Sequence, residues 1–199
     1  MATQPPSPPP EPLSVDEVKL NLRVDTNADN DLIKGLISVA REYVEDYTGL
    51  VLTPRMITET AVTLGQWIDL AAWPVTSVSE IRYPLSSVMT ALPGTAWATS
   101  FQRRPVRIVP VTPFWGLAPA CCGFAPAARA RTMLPVEIDV QAGYATPAAV
   151  PFAIKQAMHL LIGHLYTNRG AAEVGTRAAA VEVPFGVDAL LRRWRLVQV

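Results

Sequence analysis

Charge is scarce in this sequence. Lysine, arginine, aspartate and glutamate together supply 17% of the 199 residues, against about 25% in an ordinary soluble domain. Surface that would usually be charged must be covered in another way, and burial against other subunits is one. Net charge is missing too, since 17 basic side chains balance 17 acidic ones. That argues against an autonomous DNA-binding module, which carries a clustered positive excess to displace counterions from phosphates. Cysteine is limited to the adjacent Cys121 and Cys122. Neighbours in sequence cannot form an ordinary long-range staple with each other or supply a CxxC metal knuckle, so reduced, cytosolic assembly is the simplest expectation. No uncharged apolar run is placed to span a bilayer as a helix, and the N-terminus lacks the basic-then-apolar order of a signal peptide. A soluble, unexported protein without a membrane partner is expected.

Chemistry-bearing motifs are also lacking. There is no GxxxxGK[ST] loop, no GxGxxG between a strand and a helix, and no GxSxG elbow. His159 and His164 lie five apart on an expected helix, about 140° around its axis, and cannot chelate one metal together. The neighbouring acids Asp16–Glu17 and Glu45–Asp46 diverge by about 100° and read as solvated helix faces rather than an acid–base pair. The expectation is a protein that is not an enzyme and has no cofactor and no metal.

What the sequence does hold is proline, 19 residues of it, gathered at 5–12, 105–119 and 126–151 outside the periodic segments. Residues 1–12 read as a flexible proline-rich arm. The zero net charge hides an asymmetry. Residues 1–100 carry 12 acidic and 6 basic side chains, residues 101–199 carry 5 acidic and 11 basic. Such a chain suits head-to-tail association between an acidic and a basic face, or else neutralises itself within one fold.

Ser14 and Glu17 have capping-box spacing and open a short helix with Val15, Val18, Leu20 and Leu22, ending near Arg23. A second helix is capped by Asp29 or Asn30 and stopped by Gly49. Leu32, Leu36, Ala40, Tyr43 and Tyr47 form its apolar stripe, widened by Ile33, Ile37 and Val44. Lys34, Arg41, Glu42, Glu45 and Asp46 form its wet face. From Arg55 to Tyr83 alternation predicts short strands. Val106–Val109 reads as another, and Met133–Gln141 as a last one with Val136, Ile138 and Val140 on one face. Residues 84–132 are broken by prolines. A third helix, opened by Pro151, carries Ile154, Met158, Leu161 and Leu165 to Asn168 and is apolar almost all round, so it must be covered on several sides. A fourth starts at Pro184 with Val187, Leu190, Leu191 and Trp194.

Two basic clusters remain. Arg103, Arg104 and Arg107 are a candidate contact for DNA or a neighbouring subunit. Arg192, Arg193 and Arg195 lie among Leu190, Leu191, Trp194, Val197 and Val199, and arginine mixed with tryptophan and aliphatics at a chain end is a composition found in interface anchors.

Several segments taken in order resemble the tailed-phage head–tail connector (adaptor) family in its longer form. Leu13–Lys19, Leu22–Asp25, the acidic turn Asp29–Asp31 and the run Ala40–Gly49 match its first two helices. Val150–Ala157 and His164–Arg169 are similar to the start and end of its third helix, and Val183–Leu191 to its final motif. Trp73–Pro74–Val75 and Gly143–Tyr144 resemble the longer members' insertion. The resemblance implies a structural subunit in the virion neck, forming a ring, typically of twelve copies, on the portal protein. It further implies a far side offered to a stopper or tail protein, passage of double-stranded DNA through the bore, and a C-terminal segment, Leu190 to Val199, that docks on the portal. Phage and gene-transfer particles both use such a part. The alternatives are a stopper or tail-terminator subunit, or, from another class, a DNA-binding packaging accessory. The expected fold is α+β: a small helical bundle from residues 14–49 and 150–194, with a β-rich insertion over 55–146, a connector domain spanning 13–194, and a tail over 195–199.

Overall fold

The computed structural model describes residues 10–62, 64–85, 88–112, 115, 136–168 and 185–195. The fold is α+β, with four α-helices and seven strands among the described residues. It divides into a helical unit, Met1–Pro54 with Tyr144–Val199, and a β unit, Arg55–Gly143.

In the helical unit, α1 (Val15–Leu22) starts on the predicted capping box. The Ser14 hydroxyl accepts from the Glu17 amide and the Glu17 carboxylate accepts from the Ser14 amide, satisfying two of the donors that a helix start leaves orphaned. Helix α2 (Asn30–Thr48) ends at Gly49 with φ 67°, a left-handed position where a Cβ is penalised. Helix α3 (Phe152–Thr167) packs against α1 and α2, and α4 (Phe185–Leu191), continued by a 3-10 turn over Arg192–Trp194, packs against α3 and α2. The buried core is built from Val18, Ile33, Ile37, Val44, Ile154, Met158, Ile162, Val187 and Leu191.

Two expectations for α2 need correction. Its core-facing line is Ile33, Ile37, Ala40, Val44 and Thr48, while Leu32 is exposed and Leu36, Tyr43 and Tyr47 flank the core half-buried. The apolar stripe is real but rotated by about one residue, because leucines and tyrosines on its edge mimic a core line. Glu45 is not on the wet face. It is buried, its Oε1 accepting from the Leu52 amide at 2.7 Å and its Oε2 from Arg41 Nη1 at 3.2 Å. Arg41 also holds Glu11 at 3.0 Å, so a buried carboxylate is accommodated by an ion pair and a backbone donor together.

The β unit contains two antiparallel sheets. One has the order β1 (Arg55–Ala61), β7 (Val136–Ala142), β3 (Val75–Leu85), β4 (Val88–Ala91). The other has the order β2 (Ile68–Leu70), β6 (Val106–Pro110), β5 (Trp97–Ser100). Strand β7 alternates as read from the sequence, with Val136, Ile138, Val140 and Ala142 buried. On its other face Asp139 accepts from the Thr58 hydroxyl at 2.6 Å and from Arg82 Nη2 at 3.1 Å, cross-strand pairs of the kind that fix register. Glu59 of β1 is paired with Ile138 and accepts from the amides of Ala71 and Ala72 at 2.9 and 2.7 Å, which ties the first sheet to the end of β2. Trp115 is buried and donates from Nε1 to the Gly65 carbonyl at 2.8 Å. The predicted strand over Val106–Val109 is β6; β4 and β5 lie in the stretch where prolines had hidden any period. Cys121 and Cys122 fall outside the described residues.

Candidate functional site

The C-terminal segment is held to the helical unit by two buried anchors, Val187 and Leu191. Gly186 lies against α3, where a Cβ would make ordinary contact with Leu160 Cδ1 at 3.4 Å. The Tyr47 hydroxyl of α2 donates a hydrogen bond to Asp188 Oδ1, and the accepting carboxylate raises the pKa of that hydroxyl. Tyr43 and Tyr47 stack with centroids 6.3 Å apart. The Arg195 guanidinium sits over the Tyr47 ring at 5.5 Å, and that of Arg193 over the Trp194 ring at 5.0 Å.

Of the residues singled out at this end, Arg192, Arg193 and Arg195 are exposed, Leu190 and Trp194 are half-buried, and Leu191 is consumed by the core. Leu191 therefore positions the segment and is not itself presented. Val197 and Val199 lie outside the described residues. The exposed surface here carries three cations, two of them, Arg193 and Arg195, lying over aromatic faces, a pairing that costs little desolvation and suits an acidic or aromatic counterpart.

The other basic cluster is less uniform than its sequence suggests. Arg107 Nε and Nη2 donate to Asp69 at 2.6 and 2.7 Å across the β2–β6 ladder, and the guanidinium stacks on Trp67 at 4.4 Å. The bidentate bonds hold the Asp69 carboxyl below its ordinary pKa and the Arg107 guanidinium above its own. Arg107 is thus engaged within the β unit. Arg104 is half-buried, and Arg103 is the exposed cation of the three.

The charge asymmetry between chain halves does not map onto the two units, because the helical unit takes residues from both ends of the chain. By residue type, its two segments hold 12 acidic and 10 basic side chains, and the β unit 5 acidic and 7 basic. By composition the helical unit is slightly acidic and the β unit slightly basic.

A shallow groove of about 460 Å³ runs along α1 and α3, lined by Leu13, Glu17, Phe152, Lys155, Gln156 and His159. Glu17 in it is committed to the capping box. Burial lowers the pKa of His159. No group of three or more histidine, cysteine, aspartate or glutamate side chains among the described residues could hold a metal ion, and no described helix is long and apolar enough to cross a membrane. The described features at the C-terminal end, exposed arginines beside aromatic rings, are groups typical of a contact surface.

Comparison with known proteins agrees with that character. Residues 12–72 match the model of the phage gp6-like head-tail connector protein family. Among curated proteins none matches the chain. Solved structures do. A chain from the neck of an empty gene transfer agent particle, determined with sixfold symmetry, is 25% identical with a TM-score of 0.67, over 94% of this chain and 91% of that one. A chain in the virion of the native gene transfer agent particle is 25% identical with a TM-score of 0.69 over the same shares, 94% and 91%. Another, from the native neck with twelvefold symmetry, is 25% identical with a TM-score of 0.61, over 91% of this chain and 89% of that one. The head–tail connector resemblance read from the sequence is therefore shown, in sequence over residues 12–72 and in fold by chains of gene-transfer-agent necks and virions.

Proposed function

We propose that this chain is a structural subunit of the neck of a tailed phage or gene transfer particle, and within the neck the adaptor. Copies form a ring, of twelve, on the portal protein, and the far side of the ring receives a stopper or tail protein. Double-stranded DNA passes through the bore. The observation that carries this reading is the match of fold over 94% of the chain to a gene-transfer-agent neck chain, together with the connector-family match at the N-terminal end. Necks determined with sixfold and twelvefold symmetry are compatible with a twelve-copy ring. Its work is assembly and not catalysis. Zero net charge suits a conduit, because a strongly basic bore would hold phosphates and slow ejection.

The portal contact is assigned to Arg192, Arg193, Trp194 and Arg195 with the tail beyond them. The test is a pull-down of the full chain with portal protein and, separately, with tail-tube protein, beside a variant ending at Leu191 so that the buried anchor stays. The full chain should be retained by the portal and the truncated variant lost. Full retention of the truncated variant would remove the C-terminal contact from the account. Retention by the tail tube alone would point to a stopper or terminator instead, and salt-sensitive duplex binding by the free monomer to a packaging accessory.

A further inference from the structure

Opposite its core line, α2 presents Leu32, Gly35, Val39, Glu42 and Asp46, all exposed. Their spacing of three, four, three and four keeps them in one strip along the helix. Leu32 and Val39 are 40% and 50% exposed. Between them, Gly35 stands in a helix interior, where glycine is the least favourable residue after proline. Nothing inside the subunit calls for it, since a Cβ at Gly35 would meet no atom within 4 Å and its φ is not positive. What the missing side chain provides is a flat place between two exposed aliphatics where another chain can approach the helix backbone. The far end of the strip is acidic. Arg41 is shared among Glu11, Glu42 and Glu45, and Asp46 pairs with none of the described cations, so the strip keeps a negative excess.

The occupant has to bring an apolar group and an exposed cation close together. The loop between β5 and β6 has both. Phe101 is 38% exposed, and Gln102 and Arg103 beside it are exposed; Arg103 makes no salt bridge among the described residues, although its charge acts on Asp69, which Arg107 already holds. By contrast Arg192, Arg193 and Arg195 come with Leu191 buried and Trp194 half-buried.

We infer that the outward strip of α2 on one copy receives the Phe101–Arg103 loop of a second copy, Phe101 between Leu32 and Val39 over Gly35, and Arg103 against Glu42 and Asp46. The contact joins unlike surfaces, the heterologous kind that rotation closes into a ring. It rests on the neck-ring reading above and names the subunit interface within it.

The test uses purified particles carrying the full chain with Val39→Cys and Gln102→Cys in a Cys121→Ser, Cys122→Ser background, mildly oxidised and run on a non-reducing denaturing gel. A ladder of multimers is expected, with no rung beyond a dimer from either single-cysteine variant. Glu42→Arg with Asp46→Arg should reduce the ladder at least tenfold, and adding Arg103→Glu should restore most of it. If the serine background fails to assemble, the same charge swap is read in the wild-type background as the amount of chain retained in particles, lost and then recovered. Gly35→Ala should raise the melting temperature of the free subunit yet weaken the ladder. Particles that contain the chain but give no ladder, or an unchanged ladder after the charge reversal, would overturn the interface. Wild-type particles that lack the chain would overturn the neck reading, and the interface with it.

Discussion

Replacing Glu45 by alanine should destabilise the helical unit far more than removing any other carboxylate on α2. The Leu52 amide, donating to it at 2.7 Å in a buried setting, would lose its acceptor, which costs about 1–3 kcal/mol. Arg41 would lose a partner at 3.2 Å while both side chains are largely covered, 16% and 8% exposed. Breaking such a pair outright costs about 3–5 kcal/mol, but Arg41 keeps Glu11 at 3.0 Å, so only a fraction of that applies. The combined loss is about 3 kcal/mol, or a fall of about 6–12 °C in melting temperature for a chain of this size. Glu45→Gln keeps an oxygen for the Leu52 amide and should lose only about 1 kcal/mol. Urea unfolding of the purified subunit, followed by helical circular dichroism, measures both, and amide exchange at Leu52 reports the local bond. An alanine variant within about 0.5 kcal/mol of wild type, or equal to the glutamine variant, would refute the pairing argument.

At the end of the same helix, Gly49→Ala should cost about 1 kcal/mol because φ is positive there, whereas Gly35→Ala should gain about 1 kcal/mol in the free subunit; thermal melts of the two variants should move in opposite directions. Burial lowers the pKa of His159, opposed by Glu17 and aided by Lys155. The unfolded chain therefore takes up this proton first as pH falls, and stability is lost from above about pH 6.5 downward until the folded imidazole protonates as well. His159→Gln should lose less stability than wild type between about pH 7.5 and 5.5, and equal slopes in a urea series would contradict this.

Local signals read well from the sequence, and pairings between distant residues did not. Ser14 with Glu17, Gly49, and the alternation of Val136, Ile138 and Val140 each declare their conformation within a few residues. The stripe read on α2 is centred about one residue off its core line because Leu32 and Tyr47 are apolar at its edges whereas Thr48 in the core is polar; apolarity alone does not separate a core edge from a contact strip. Glu45 looked solvated because its partners, Arg41 and the amide of Leu52, make it buriable only once the chain turns back after Gly49. Strand order β1-β7-β3-β4 joins residues far apart in sequence, and no local pattern encodes it. Glu59, which braces the two sheets, was missed for the same reason. For the contact surfaces, composition singled out the arginines around Trp194 and at 103–107, but the engagement of Arg107 by Asp69 and the burial of Leu191 needed the fold.

A cryo-electron microscopy reconstruction of the neck in particles that carry this chain decides whether its copies form the ring. A closed ring of its copies between portal and tail is expected, with the helical and β units traceable and each α2 strip against a neighbour. A ring position filled by another protein, with this chain elsewhere or absent, would contradict it.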